Sequence, residues 1–148
     1  MNKRTATIKQ LQGITLAAKA DSTHWVIMDG KKEEGGSEAG PTPKELLLMA
    51  LGGCTSMDVI PILKKKRTPV ERYEAKLTAT VRDEHPKIYS TIHIEYVFYG
   101  KGISPVDVER AIELSETKYC SVTAMLRDTV KITHSYRIEE PPAHADVP

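Results

Sequence analysis

The chain has 148 residues, of which 40% are apolar and 28% charged. This length and balance are typical of a folded domain and exclude a disordered, collagen-like or disulfide-scaffold protein. Twenty-one Lys and Arg residues against twenty Asp and Glu residues leave a net charge of +1, so no overall field draws the protein to nucleic acid. Aromatic residues make up only 5% of the chain, which is too few for a base-stacking surface.

The first third of the chain has the pattern of β structure. Residues 6–8 and 14–18 alternate between apolar and polar side chains on either side of Gln12-Gly13, which predicts a hairpin. A third short strand is expected over 24–28, followed by a charged, glycine-rich loop over 31–41. Because the N-terminus leads into this alternation and not into an apolar block, we predict no signal peptide and a cytoplasmic protein.

A long helix is predicted to begin after Thr42. Thr42 at the N-cap, Pro43 at the first helical position and Glu45 three residues after the cap have the pattern of a capping box. The basic residues 64–67 suit the C-terminal end of the helix dipole. The apolar side chains lie on every side of this helix, so other structure must enclose it.

Residues 46–63 of this helix are nearly long enough and apolar enough to cross a membrane. Asp58 and Pro61 interrupt the segment, as do the paired glycines Gly52-Gly53. A charged side chain at that depth would cost a few kcal/mol. We therefore predict no contact with a membrane and a helix buried in a soluble protein.

The rest of the chain alternates between strand and helix patterns. Two runs of alternating residues joined by a turn predict an antiparallel hairpin. The predicted elements are strands at 75–82 and 92–98, a helix from Ser104 to Ser115, a short helix from Cys120 to Leu126 and a strand at 130–138. His134 falls on the apolar face of the last strand and is predicted to be a core residue.

These elements predict an α+β fold with antiparallel sheets around a long central buried helix. We predict one domain over residues 1–140 and a disordered tail over 141–148. The helix needs more cover than a chain of this length readily supplies, and an intertwined homodimer that shares the helix would provide it.

Two cysteines are the strongest candidates for chemistry. Cys54 lies in the middle of the long helix with Asp58 one turn away on the same face, and an anionic neighbour would raise the pKa of its thiol, so Cys54 needs a cation from elsewhere. Cys120 lies at an expected helix N-terminus, which favours a thiolate by up to about 1 kcal/mol. A permanent disulfide is not expected in the cytoplasm, and two buried structural thiols remain an alternative.

The motifs around both cysteines resemble a known family. The segments GPTPKELLLMALGGCTSMDVIPILKKKR, at residues 40–67, and KYCSVTAML, at 118–126, are similar to the OsmC/Ohr family of osmotically inducible and organic-hydroperoxide-resistance proteins. The resemblance extends to about Glu140 and is strongest to the branch whose helix reads LGGCTSMDV. It implies a tightly intertwined homodimer with active sites at the subunit interface.

The resemblance also implies a function and roles for both cysteines. Cys54 would be the peroxidatic residue that attacks an organic hydroperoxide, and Cys120 the resolving residue that forms a disulfide with it. A dithiol reductant would then reopen the disulfide. The implied function is a thiol-dependent peroxidase in oxidative-stress defence.

The sequence departs from the hydroperoxide-resistance branch in two supporting residues. That branch holds its thiolate with an Arg from an N-terminal loop and a Glu on the first helical turn, whereas this chain has no Arg between Thr5 and Lys66. The position of the Glu falls on Lys44, and Glu45 has a structural explanation as the capping-box acid. Lys44, Glu45 and Asp58 are therefore candidate supporting residues.

The alternative function is a non-enzymatic redox-sensing or small-ligand-binding dimer that has lost this Arg and Glu. We predict no cofactor. We also predict no metal site, because neither the five histidines nor the two cysteines show the spacing of metal ligands.

Overall fold

A computed structural model describes residues 1–141 of the chain. Apart from Pro141, the predicted disordered tail therefore lies outside the described residues. The chain forms two compact units, of which the first covers Met1–Leu47 and the second begins at Leu48. The single domain over residues 1–140 stays a prediction.

The first unit contains a three-stranded antiparallel sheet. Its strands are β1 (Ala6–Gln12), β2 (Thr15–Ala20) and β3 (Val26–Met28), in that spatial order. Gly13 adopts a φ of 54° in the β1–β2 turn, a left-handed conformation that glycine adopts without strain. The predicted hairpin is confirmed, and the expected loop contains a short 3₁₀ turn at Lys32–Glu34.

Helix α1 spans Pro43–Lys65 and begins as predicted. The backbone N–H of Thr42 donates to Glu45 Oε2 at 2.7 Å, and the backbone N–H of Glu45 donates to Thr42 Oγ1 at 3.3 Å. These two reciprocal bonds are the capping box, which satisfies backbone donors that have no partner within the helix.

The second unit contains a sheet with the spatial order β4 (Arg72–Val81), β5 (Tyr89–Tyr99) and β6 (Lys131–Glu139). β4 and β5 are antiparallel as predicted, but β6 pairs with β5 in parallel. The prediction of antiparallel sheets is therefore wrong for this edge, and the sheet is mixed. The long connection through two helices allows β6 to run in the same direction as β5.

That connection consists of α2 (Pro105–Leu114), a π-helical turn (Ser115–Tyr119) and α3 (Ser121–Leu126). The helices pack on the face of β5 that carries its alternating apolar side chains. The buried core of the second unit includes Leu51, Val59, Leu63, Ile92, Ile94, Tyr96, Phe98, Val108, Ala111 and Ile112.

One face of α1 is buried and another is exposed. Leu51, Val59 and Leu63 lie in the core, whereas Met57 and Ile60 are 79% and 46% exposed. By length and composition alone the helix could cross a membrane, but its packed face belongs to the core described above. Residues 1–141 do not cover these apolar side chains, and the homodimer stays a prediction.

Gly52 allows the buried face of α1 to approach the sheet closely. A methyl group at Gly52 would lie 2.6 Å from Leu77 Cδ1, whereas one at Gly53 would meet no atom within 4 Å. The two neighbouring glycines therefore differ: among residues 1–141 a side chain at Gly52 would have to displace Leu77, whereas one at Gly53 would meet nothing.

Candidate active site

Three candidate residues meet in the second unit. Cys54 and Asp58 lie one turn apart on α1, and Cys120 comes just before α3. The two sulfur atoms and a carboxylate oxygen of Asp58 all lie within 4.8 Å of one another. We call these three residues the cysteine cluster.

Ser115 joins the two sides of the cysteine cluster. Its hydroxyl donates to Asp58 Oδ2 at 2.9 Å, and its carbonyl accepts from the backbone N–H of Cys120 at 2.8 Å. The second bond spans five residues and closes the π-helical turn. Ser115 is fully buried, so the turn fixes both the carboxylate and the backbone of Cys120.

Cys120 is the N-cap of α3, and its sulfur accepts a hydrogen bond from the backbone N–H of Thr123 at 3.3 Å. The predicted helix N-terminus is confirmed, but the expected preference for the thiolate is not. Burial raises the pKa of Cys120; Thr123 lowers it and neighbouring Cys54 raises it further, leaving the pKa above its ordinary value. Cys120 is only 3% exposed, and desolvation disfavours its charged form more than the hydrogen bonds favour it.

Cys54 is half-buried and packs against the core, as its predicted position on the helix requires. Asp58 is also half-buried. Within residues 1–141, Asp58 forms no ion pair with Lys, Arg or His. The need of Cys54 for a cation from elsewhere stays a prediction.

Two tyrosines, Tyr73 and Tyr96, lie near the cysteine cluster. Tyr73 and Ser56 share a hydrogen bond of 2.8 Å between their hydroxyl groups, and Ser56 also donates to the carbonyl of Gly52 at 2.6 Å. The Tyr96 hydroxyl is buried and forms no well-directed hydrogen bond in the described part of the chain. Burial raises the pKa of Tyr96, despite the nearby hydroxyl of Thr55, so Tyr96 is a neutral phenol at neutral pH.

A groove runs along α1 beyond the cysteine cluster. It has a volume of about 380 Å³, and four of its lining residues are apolar or aromatic and four are polar or charged: Ile60, Leu63, Val70 and Tyr73, and Lys64, Thr68, Glu71 and Arg72. None of the three cluster residues lines it. Tyr73 connects the groove to Ser56, which lies two residues after Cys54.

The first-turn candidates lie in the first unit. Hydrogen bonds from the backbone and hydroxyl of Thr42 lower the pKa of Glu45 against the opposing effect of burial, and the charge of Lys31 adds to them. Glu45 thus has the capping role that the sequence predicted. A supporting role for Lys44 or Glu45 at the cysteines stays a prediction.

Sequence reasoning missed two residues and misplaced another. Ser115 was visible only as the end of an amphipathic stripe, and Tyr96 only as one apolar position of a strand. His134 is exposed, and its Nδ1 lies 2.6 Å from Glu116 Oε1, so the prediction of a core histidine is wrong. Its strand lies at the sheet edge, where the inward face is only partly covered.

The chain is similar to known proteins along most of its length. Residues 34–135 match the family model described as OsmC-like protein. Protein YhfA of Escherichia coli strain K12 is 39% identical over 133 residues, which cover 90% of this chain and 96% of YhfA.

Solved structures share the fold. A hypothetical protein from Aquifex aeolicus VF5 is 32% identical with a TM-score of 0.83, covering 96% of this chain and 100% of its own. An organic hydroperoxide resistance protein from Elizabethkingia anophelis is 13% identical with a TM-score of 0.67, covering 93% of this chain and 98% of its own. The second likeness concerns the fold alone.

Proposed function

Since the chain belongs to the family of OsmC-like proteins, we propose that it is a thiol-dependent peroxidase that reduces organic hydroperoxides. The observation that carries the proposal is the approach of the Cys54 and Cys120 sulfur atoms to within 4.8 Å. A disulfide needs a separation of about 2.05 Å, so a small movement of the two side chains closes the bond.

Cys54 is the attacking residue in this proposal because it is the more exposed of the two thiols. Its sulfur attacks the distal oxygen of the hydroperoxide, the O–O bond breaks, and the products are Cys54 sulfenic acid and an alcohol. The thiol proton ends on the alcohol oxygen. Cys120, held as a thiol by burial, then condenses with the sulfenic acid to give a disulfide and one water molecule.

A dithiol reductant completes the cycle. It transfers two electrons and two protons to the Cys54–Cys120 disulfide and becomes a disulfide itself. Cys120 thereby protects Cys54 from oxidation beyond the sulfenic acid, which is irreversible in most proteins.

Asp58 takes the place of the absent Arg and Glu as the group that handles the proton. Its carboxylate is within 4.8 Å of the Cys54 sulfur, close enough to receive the thiol proton through one water molecule and to return it to the leaving alkoxide. The hydroxyl of Ser115 fixes the carboxylate by its bond to Oδ2.

We further propose that the substrate has an apolar organic group and that the protein is a homodimer in the cytoplasm. The groove along α1 offers apolar surface from Ile60, Leu63 and Val70, and relatives of the same fold are named organic hydroperoxide resistance proteins. The exposed apolar residues Met57 and Ile60 of α1 favour a second copy of the chain as the cover for this helix.

The test adds one equivalent of cumene hydroperoxide, or of hydrogen peroxide, to the reduced protein. We expect the loss of both thiols and of two hydrogens from the intact mass, faster with the organic peroxide. Cys54→Ser should abolish turnover with a dithiol, and Cys120→Ser should allow one reduction and leave an oxidised Cys54.

Two unreacted thiols, or full turnover by Cys54→Ser, would overturn the proposal. The first result would favour a redox-independent, ligand-binding dimer. Equal rates with the two peroxides would contradict the preference for an apolar substrate.

A further inference from the structure

We infer that the reduced cysteine cluster is also a binding site for a thiophilic divalent cation, represented by Zn²⁺, with Cys54 Sγ, Cys120 Sγ and the Asp58 carboxylate as its ligands. This inference goes beyond the peroxidase function and does not depend on it. It concerns equilibrium binding to the reduced protein, in the absence of any peroxide.

The spacing of the three donor atoms fits a small cation. The atoms lie within 4.8 Å of one another. Zn²⁺ binds sulfur at about 2.3 Å and carboxylate oxygen at about 2.0–2.2 Å in a tetrahedron, which places its ligand atoms roughly 3.5–4 Å apart. A contraction of about 1 Å, made mainly by the half-buried Cys54 and Asp58 side chains around the buried Cys120, fills three positions of the tetrahedron and leaves the fourth for a water molecule.

Spacing along the sequence does not reveal such a site because its ligands come from two distant segments. Cys54 and Asp58 lie one turn apart on α1, a rigid arrangement that directs two ligands to the same side of the helix. Cys120, which the π-helical turn holds through its bond to Ser115, comes from a segment more than sixty residues later in the chain.

The charge of the cysteine cluster also favours a cation. Two thiolates and a carboxylate carry three negative charges, and Asp58 makes no ion pair with Lys, Arg or His within residues 1–141. A divalent cation that coordinates all three groups neutralises most of this charge, which suits the cysteine cluster to a cation and not to a neutral ligand.

Two of the three proposed ligands, Asp58 and Cys120, are oriented by hydrogen bonds from residues that are not ligands themselves. The Ser115 hydroxyl donates to Asp58 Oδ2 at 2.9 Å, which leaves Oδ1 for the cation. The Thr123 backbone N–H donates to Cys120 Sγ at 3.3 Å. Such outer contacts fix the direction of ligand atoms and tune the site, and two sulfur ligands select Zn²⁺ over Mg²⁺ or Ca²⁺.

Metal binding and disulfide formation exclude each other at this site. Each sulfur that coordinates the cation has its lone pair directed at the metal, and a disulfide removes both thiolates. The cation should therefore bind the reduced protein only, and bound cation should slow any oxidation of the two thiols.

The test titrates Co²⁺ without oxygen into the reduced, metal-free, full-length protein. We expect one ion per chain, a thiolate-to-cobalt charge-transfer band, and visible bands of a tetrahedral ion. One equivalent of Zn²⁺ should remove these bands, and Mg²⁺ should not.

Variants separate the ligands from their surroundings. Cys54→Ser and Cys120→Ser should each reduce the charge-transfer band, and Asp58→Asn should weaken Co²⁺ binding about tenfold or more while retaining both sulfurs. Asp58→Asn keeps an oxygen that accepts from Ser115 and so preserves the fold. The matched control is Asp83→Asn, which changes an exposed carboxylate in the turn between β4 and β5 and should bind as the unmodified chain does.

The absence of a charge-transfer band in the folded, reduced protein would overturn the inference. An equal loss of affinity in Asp58→Asn and Asp83→Asn would overturn it as well. If the protein binds Co²⁺ but does not react with peroxides, the proposed function is refuted and the metal site is retained. If it reacts with peroxides but does not bind Co²⁺, the metal site is refuted and the proposed function is retained.

Discussion

Two carboxylates, one in each unit, differ in what surrounds them. Asp29 in the first unit is 3% exposed and accepts from the hydroxyl of Thr15 and from the backbone N–H groups of Gly30, Ser37 and Ala39 at 2.8–3.1 Å. Asp58 in the second unit accepts one hydrogen bond, from Ser115, and otherwise faces two thiols.

The difference distinguishes a carboxylate with a structural role, Asp29, from one that is available for chemistry, Asp58. Three of the hydrogen bonds that Asp29 accepts come from the loop after β3, and the fourth ties that loop to Thr15 in β2. Burial opposes its ionisation, but the hydrogen bonds outweigh burial and lower the pKa of Asp29 below its ordinary value. Asp58 has one oxygen with no such bond, so a proton or a cation can approach it.

The largest expected effect on stability comes from removing the carboxylate of Asp29, which anchors the loop after β3. Asp29→Ala leaves one hydroxyl and three backbone donors without their acceptor, so the variant should lose more stability than any substitution in the cysteine cluster. The urea midpoint of unfolding should fall, and proteases should cut faster within residues 30–41. Glu33→Gln, an exposed change in the same loop, is the control and should leave both measurements unchanged.

The same anchor predicts how stability depends on pH. The pKa of Asp29 is lower in the folded chain than its ordinary value of 3.8, so the unfolded chain binds the proton more tightly. The contribution of Asp29 is therefore fully present above pH 3.8 and is lost as the pH falls through the lower, folded value.

Urea midpoints measured from neutral pH down to below 3.8 test this sign. The deficit of Asp29→Ala relative to the unmodified chain should shrink as the pH falls in that window. A deficit that grows on acidification would show that the loop is not held by the ionised carboxylate.

The smallest expected effect on stability comes from the other carboxylate. Asp58→Asn keeps an acceptor for Ser115, so the free energy of unfolding should change by less than about 1 kcal/mol. The peroxidase rate should fall nonetheless, because the amide cannot carry the thiol proton. A large loss of stability in this variant would mean that Asp58, like Asp29, is chiefly structural.

Local patterns predicted most of the fold. The capping box of Thr42 and Glu45, the Gln12-Gly13 turn and the alternation along β5 each depend on residues that are close in sequence, and all three are confirmed. The family resemblance added the pairing of the two cysteine motifs, which spacing alone did not supply.

The features that were missed depend on contacts between distant segments. The parallel pairing of β6 follows from where α2 and α3 cross the sheet, and neither strand encodes it alone. The raised pKa of Cys120 follows from burial, which outweighs the local effect of a helix N-terminus. His134 occupies an apolar-face position in the alternating pattern of its strand, but that strand is at the edge of the sheet, where the pattern does not ensure burial.

The π-helical turn at Ser115–Tyr119 depends on the number of residues in this segment more than on which residues they are. A deletion of one residue there would let ordinary helical bonds continue and would turn the following residue by about 100°. Cys120 would then face away from Asp58 even though every functional residue was retained. Among relatives of this chain, a gap of one residue between α2 and α3 should therefore mark the loss of the cysteine cluster more surely than a substitution nearby.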